Sequence, residues 1–199
     1  MSESIALAEF GLPDVPPPDL DVYLDAASAC FARHGLGRTR VTDIADVVGV
    51  SRVTVYRQVG TTEQAARLLL SRELDRLLTS LVPRLADADT PRELVQVIAA
   101  AVTFAIEHPV LAKVLRDEPE LVGAFVIQEL DVLLERLHLL AQPVVGRLDA
   151  MGVSPNVDLA HVADVVARVV VTMVVAPPLQ PFSTYLERVL GGLLGISDW

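Results

Sequence analysis

The sequence predicts an all-α fold of about nine helices: a three-helix helix-turn-helix head at the N-terminus and a helical bundle behind it. Three observations predict it. Apolar residues recur at three- and four-residue spacing through most of the chain. Proline, glycine and short polar caps fall at the breaks between those stretches. The one β-branched run with strand propensity, Val169 to Val175, has no second strand to pair with, so helix is the better reading.

Residues 1–19 are Pro-rich and acidic and read as a mobile arm. Asp19 or Asp21 caps a first helix with Leu20, Leu24, Ala27 and Phe31 on one face, ending at His34-Gly35. A second helix spans about Val41 to Val48, with Ile44, Ala45 and Val48 inward. A third runs from Ser51 to about Val59. Gly60-Thr61-Thr62-Glu63 restarts the chain into a long fourth helix, whose leucines repeat until Pro83. Thr90-Pro91-Arg92-Glu93 caps the next, which reaches His108, and Pro109 opens another. Glu118-Pro119 is a natural break. The helix after it continues to Gly152, kinked or split at Pro143. Asn156-Val157-Asp158 opens a helix to Ala176, and Phe182 to Leu194 form the last. The division expected is an arm (1–19), a head (20–80, its helix-turn-helix at about 42–60) and a C-terminal body (81–199).

Composition excludes several function classes. No uncharged apolar run approaches the roughly 18 residues of a membrane span, and "MSESIALAEFGLPDVPPPDL" lacks the basic start of a secretory signal. No membrane partner is expected, and the expected location is cytoplasmic. One cysteine, Cys30, gives no intramolecular disulfide and no cysteine metal site. Neither H-E-x-x-H nor G-x-S-x-G occurs, and the four histidines are scattered, so neither an enzyme nor a cofactor is expected.

The formal net charge of −10 argues against indiscriminate nucleic-acid binding. The charge is unevenly spread, however. Arg33 to Gly60 holds five arginines against Asp43 and Asp46, whereas residues 61–199 hold eleven basic and eighteen acidic groups. With a Debye length of about 8 Å at physiological salt, a distant acidic body barely weakens a local basic face.

That basic stretch contains "VTDIADVVGVSRVTVYRQV", two short helices broken at Gly49-Val50-Ser51. Glycine permits the positive φ that a steep helix crossing needs, Val50 plugs the gap and Ser51 caps the second helix. Val55 and Val59, four apart, point to the core. Arg52, Thr54, Tyr56, Arg57 and Gln58 are left outside. Arginine pairs with guanine or phosphate, glutamine with adenine and hydroxyls with phosphate. An ordinary αα-corner with a solvated face is the bland alternative.

Tyr23 to Leu70 resembles the DNA-binding domain of the TetR family of bacterial repressors. The residues that carry the resemblance are Ile44-Ala45, Gly49-Val50-Ser51, Thr54, Tyr56 and Arg57. It implies a homodimer, a palindromic DNA operator and a small effector held in the C-terminal helices, whose binding releases the DNA. It also implies DNA contacts at Thr42, Thr54, Tyr56 and Arg57, with Arg52 and Val53 at the groove-facing helix start. Arg40, Ser51, Gln58 and Thr62 complete the candidate set. The chain departs from the family pattern in four places. Thr62 stands where a lysine is usual, Arg40 where a capping Thr or Ser is usual, and Val59 where an aromatic is usual. The arm is acidic rather than basic.

The Val- and Leu-rich body suggests an apolar effector pocket, for which Phe104, His108, Phe125 and Met173 are the candidates. Two apolar faces are expected to pair across a dyad. One is Val162, Val165, Val166, Val169, Val170 and Met173; the other is Leu186, Val189, Leu190 and Leu193. The rival function is a helical protein-interaction module that kept the corner and lost the operator.

Overall fold

The computed structural model describes residues 14–118, 120, 134, 144–153, 161, 164–165, 168–169, 171–173, 176, 180 and 182–194. Phe125, Val162, Val166, Val170 and the side chain of Leu193 lie outside the described residues, as do the first thirteen positions and the expected helix start at Asn156. Among the described residues every regular element is helical: α1 (Asp21–His34), α2 (Val41–Val48), α3 (Arg52–Val59), α4 (Thr62–Asp87), α5 (Pro91–Glu107), α6 (Pro109–Asp117) and α7 (Phe182–Leu194), with a single 3-10 turn, Pro18–Leu20, before α1.

The helix starts follow from local chemistry. Ser51 accepts from the Thr54 N–H at 3.2 Å, so the serine caps α3. Thr61 and Gln64 form a reciprocal box before α4: Gln64 N–H donates to the Thr61 hydroxyl at 3.2 Å, and Thr61 N–H donates to Gln64 Oε1 at 2.8 Å. Thr90 and Glu93 do the same for α5, and Asp89 N–H adds a third bond at 2.8 Å. Two expectations shift. α4 does not stop at Pro83 but carries it inside the helix to Asp87. A proline there leaves only the Thr79 carbonyl without its donor, and Thr79 and Pro83 are both exposed, so water can serve that carbonyl. His108 does not close α5; it occupies the N-cap position of α6.

The chain divides into two compact units. The first comprises residues 1–79 and 108–121, so α6, expected in the C-terminal body, groups instead with the head and packs on α1. Its core joins Leu24, Ala27 and Phe31 of α1 to Ile44 and Ala45 of α2, Val55 and Val59 of α3, and Ala65 and Leu69 of α4. Phe31, Leu24, Ile44 and Val55 are fully buried, each contributing about 1.5–3 kcal/mol. Arg72 bridges α4 to α1: its guanidinium meets Asp21 at 2.9 Å, Asp25 at 2.8 Å and Glu73 at 2.9 Å. Burial opposes its charge, but the hydrogen bonds to Asp21, Glu73 and Asp25 outweigh that and hold Arg72 above its ordinary pKa.

The second unit comprises residues 80–107 and 122–199, with α5 packed on α7. Leu94, Val95 and Ala99 meet Val144, Leu148, Leu186 and Leu190 in its core. Arg147 ties the turn before α5 down through the carbonyls of Ala86, at 3.1 Å, and Ala88.

Candidate nucleic-acid interface

Everything about α3 turns on two glycines and a serine. Gly49 ends α2 at φ 79°, ψ 32°, the left-handed conformation the sequence demanded there. Its N–H and that of Val50 both donate to the Ala45 carbonyl, at 2.8 and 3.0 Å, so the turn is closed before Ser51 starts α3. Gly60, at φ 74°, ends α3 with its N–H on the Tyr56 carbonyl.

Between those ends the helix has two faces. Val55 and Val59 are buried at 0% and 2% exposure. Arg52, Val53, Tyr56, Arg57 and Gln58 are exposed, Val53 at 69% and Tyr56 at 52%. Thr54 is half-buried, and its hydroxyl sits 3.0 Å from that of Ser51. Among the described residues neither Arg52 nor Arg57 has an ion-pair partner. The face therefore offers guanidiniums, an amide, a phenol and an apolar methyl pair to whatever meets it. An exposed valine is a poor surface residue in water and a good neighbour for a thymine methyl.

α2 begins without a side-chain cap from its N-cap residue. Arg40 holds the N-cap position with extended backbone. A guanidinium has no acceptor and cannot cap. The carboxylate of Asp43 takes over by accepting from the Arg40 N–H at 2.7 Å. Thr39, one residue earlier, is engaged elsewhere, its hydroxyl donating to the Gly35 carbonyl at 2.6 Å. So the helix starts at Val41 without the usual hydroxyl, and the side chains of Arg40 and Thr42 are left exposed. Thr62, first residue of α4, is half-buried.

One neighbour of the α1–α2 turn is not legible in the sequence. Glu118, at the end of α6, is only 6% exposed. Its Oε2 accepts from the Gly37 N–H at 3.3 Å, and its Oε1 is buried without a hydrogen-bond partner. A Cβ at Gly35 (φ 85°) would fall on that Oε1. The residue thus fastens the α1–α2 turn from 81 positions away, and the sequence shows only a Glu-Pro break. Cys30 sits in the same core; burial pushes its thiol pKa up, as for a packing residue.

Phe104 is half exposed on α5, in the second unit, and His108 belongs to the first. Met173, 4% exposed, lines a groove with Thr172, Ala176, Gln180, Tyr185, Arg188 and Val189. Leu186 and Leu190 correct an expectation: at 0% and 3% exposure they are covered inside one chain by α5, because α7 spends that face on its own core. Val165 remains 40% exposed, and Val169 and Val189 are half-buried. Among the described residues no three His, Cys, Asp or Glu side chains are grouped to hold a metal, and no single helix is long and apolar enough to cross a membrane.

Residues 24–71 match the family model described as bacterial regulatory proteins, tetR family. No curated protein matches the chain in sequence. Solved structures match it in fold. The fatty acid degradation regulator FadR from Bacillus halodurans aligns at 20% identity and TM-score 0.64, over 92% of this chain and 97% of that one. The ketosteroid transcriptional regulator of Mycobacterium tuberculosis aligns at 23% and 0.55, over 89% and 93%. The TetR family repressor AlkX from Dietzia sp. strain DQ12-45-1b, implicated in biodegradation of n-alkanes, aligns at 18% and 0.57, over 87% and 96%. At these identities the likeness is one of fold.

Proposed function

We propose that this chain, whose residues 24–71 match the model of the tetR family of bacterial regulatory proteins, is a ligand-responsive repressor that binds a palindromic operator as a homodimer. The observation that carries the reading is the two-faced α3, capped by Ser51 and exposing Arg52, Val53, Tyr56, Arg57 and Gln58 together. Arg52, in the first turn, reads a base edge, because the start of a recognition helix is what contacts bases. Arg57 lies five residues on, turned by about 140° at roughly 100° per residue, and clamps a phosphate. Thr42, Thr54 and Tyr56 add backbone contacts, with Arg40 and Thr62 at the flanks.

The dimer uses Val165, Val169 and Val189, and the groove beside Met173, Tyr185 and Arg188 is where a partner helix seats. The effector is an apolar molecule with a small polar handle, held in the C-terminal body. The Val/Leu composition supports this, as do the names of structural neighbours: a fatty acid degradation regulator, a ketosteroid transcriptional regulator and a repressor implicated in biodegradation of n-alkanes. Release requires that the effector bind the DNA-incompetent state more tightly than the competent one. Half-sites spaced about 34–36 Å tolerate little change in head separation.

Titrations of the full chain on DNA flanking its gene, beside scrambled duplex, test the reading. Arg52→Ala is expected to weaken binding by about 1–3 kcal/mol and relax preference at one base pair. Arg57→Ala is expected to weaken all sequences and lower the salt slope by about one. If neither variant changes binding, α3 is not the reading helix. If wild type binds no duplex, the interaction-module reading, which Thr62 in place of a lysine favours, takes its place.

A further inference from the structure

The α1–α2 turn carries cationic chemistry that α3 does not use. A groove of about 630 Å³ is lined there by Arg33, His34, Arg38, Arg40 and Lys113, with Asp43 among them. The nearby acids are already engaged. Asp43 accepts from the Arg40 N–H, Asp117 is paired with Lys113, and Glu118 lies buried with one oxygen on the Gly37 N–H. Arg33, Arg38 and Arg40 are exposed and have no ion-pair partner among the described residues. Three guanidiniums thus converge on one groove, two of them on a turn that the buried Glu118 fastens in place.

We propose that this groove is a second backbone site, taking the phosphates of duplex DNA that flank the bases read by α3. The inference rests on the DNA-binding reading above and deepens it. Its continuity with that reading is Arg40, which lines the groove and also heads α2. The groove is open and its arginines stay hydrated. Such a surface suits a long polyanion, which gains by counterion release, better than a small anion, which needs desolvated partners. It also answers the charge problem. A chain of net charge −10 that places only two arginines on α3 needs cations elsewhere on the head.

The test uses the full chain carrying Arg33→Gln with Arg38→Gln, titrated on operator-containing and scrambled duplex between 50 and 200 mM salt beside wild type and Arg57→Ala. Two lost phosphate contacts are expected to lower the salt slope by about 1.8 at roughly 0.9 each. The affinity gap to wild type then shrinks about tenfold across that fourfold salt range, with base preference unchanged. A double variant with wild-type slope and wild-type affinity at 50 mM overturns the groove while Arg57→Ala still reports on α3. Groove variants that abolish inorganic phosphate binding and leave duplex binding untouched overturn it in favour of a small-anion site. A wild type that binds no duplex removes both readings together.

Discussion

Of the three glycines of positive φ in the head, Gly35 and Gly49 differ in what a side chain would cost. Gly49, at φ 79°, ψ 32°, is exposed, and a Cβ built there meets nothing within 4 Å. Gly49→Ala therefore carries only the left-handed penalty of an L-residue, about 1–2 kcal/mol. Gly49→Asn costs less, since asparagine tolerates that region. Gly35 differs on both counts. Its φ 85°, ψ 168° lies in a region that is essentially glycine's alone, at about 1–3 kcal/mol for another residue. Its new Cβ also collides with Glu118 Oε1, and moving that buried carboxylate strips the Gly37 N–H of its acceptor, about 1–3 kcal/mol more. The sum is about 2–6 kcal/mol against about 1–2 for Gly49. Thermal unfolding followed by circular dichroism reads this directly, at about 2–4 °C per kcal/mol for a chain of this size. The decisive variant pairs Gly35→Ala with Glu118→Ala. There the collision is gone, so Gly35→Ala should cost about 1–3 kcal/mol less than in wild type. Equal cost in both backgrounds, or a Gly35→Ala as mild as Gly49→Ala, refutes the role given to Glu118.

Three further outcomes are expected. Arg72→Met removes the cation joining α1 to α4 and should destabilise by about 1–3 kcal/mol in urea unfolding; Asp21 and Asp25, 41% and 66% exposed, rehydrate, which keeps the loss below that of a fully buried pair. The hydrogen bond from Lys113 holds the Asp117 carboxyl below its ordinary pKa, and that from Thr61 does the same for Glu63. A depressed folded pKa gives stability that is present above the unfolded value and lost as pH falls through the folded one. Lys113→Met and Thr61→Val should therefore flatten the fall in melting temperature below about pH 4. Val169→Glu is expected to yield monomers in sedimentation at micromolar concentration, and a wild type that sediments as a monomer would sink the dimer proposal itself.

What the sequence determined by itself was local. Gly49, Ser51, the Thr61–Gln64 and Thr90–Glu93 boxes and the spacing of Val55 and Val59 act within a turn or two of chain, so their consequences are legible in order along it. That was enough to place α1 to α3 and to say which face of α3 is exposed. The tertiary structure decided what depends on distant partners. Pro83 stays inside α4, and Thr79, whose carbonyl it leaves without a donor, is an exposed residue. α6 joins the head rather than the body, and Glu118 reaches the α1–α2 turn across 81 residues. Arg72 meets Asp21 across 51. Leu186 and Leu190, apolar and correctly spaced for an interface, are consumed by α5 inside one chain. Helical periodicity marks a face as buried without naming what buries it, because the hydrophobic effect has no direction and any apolar surface satisfies it.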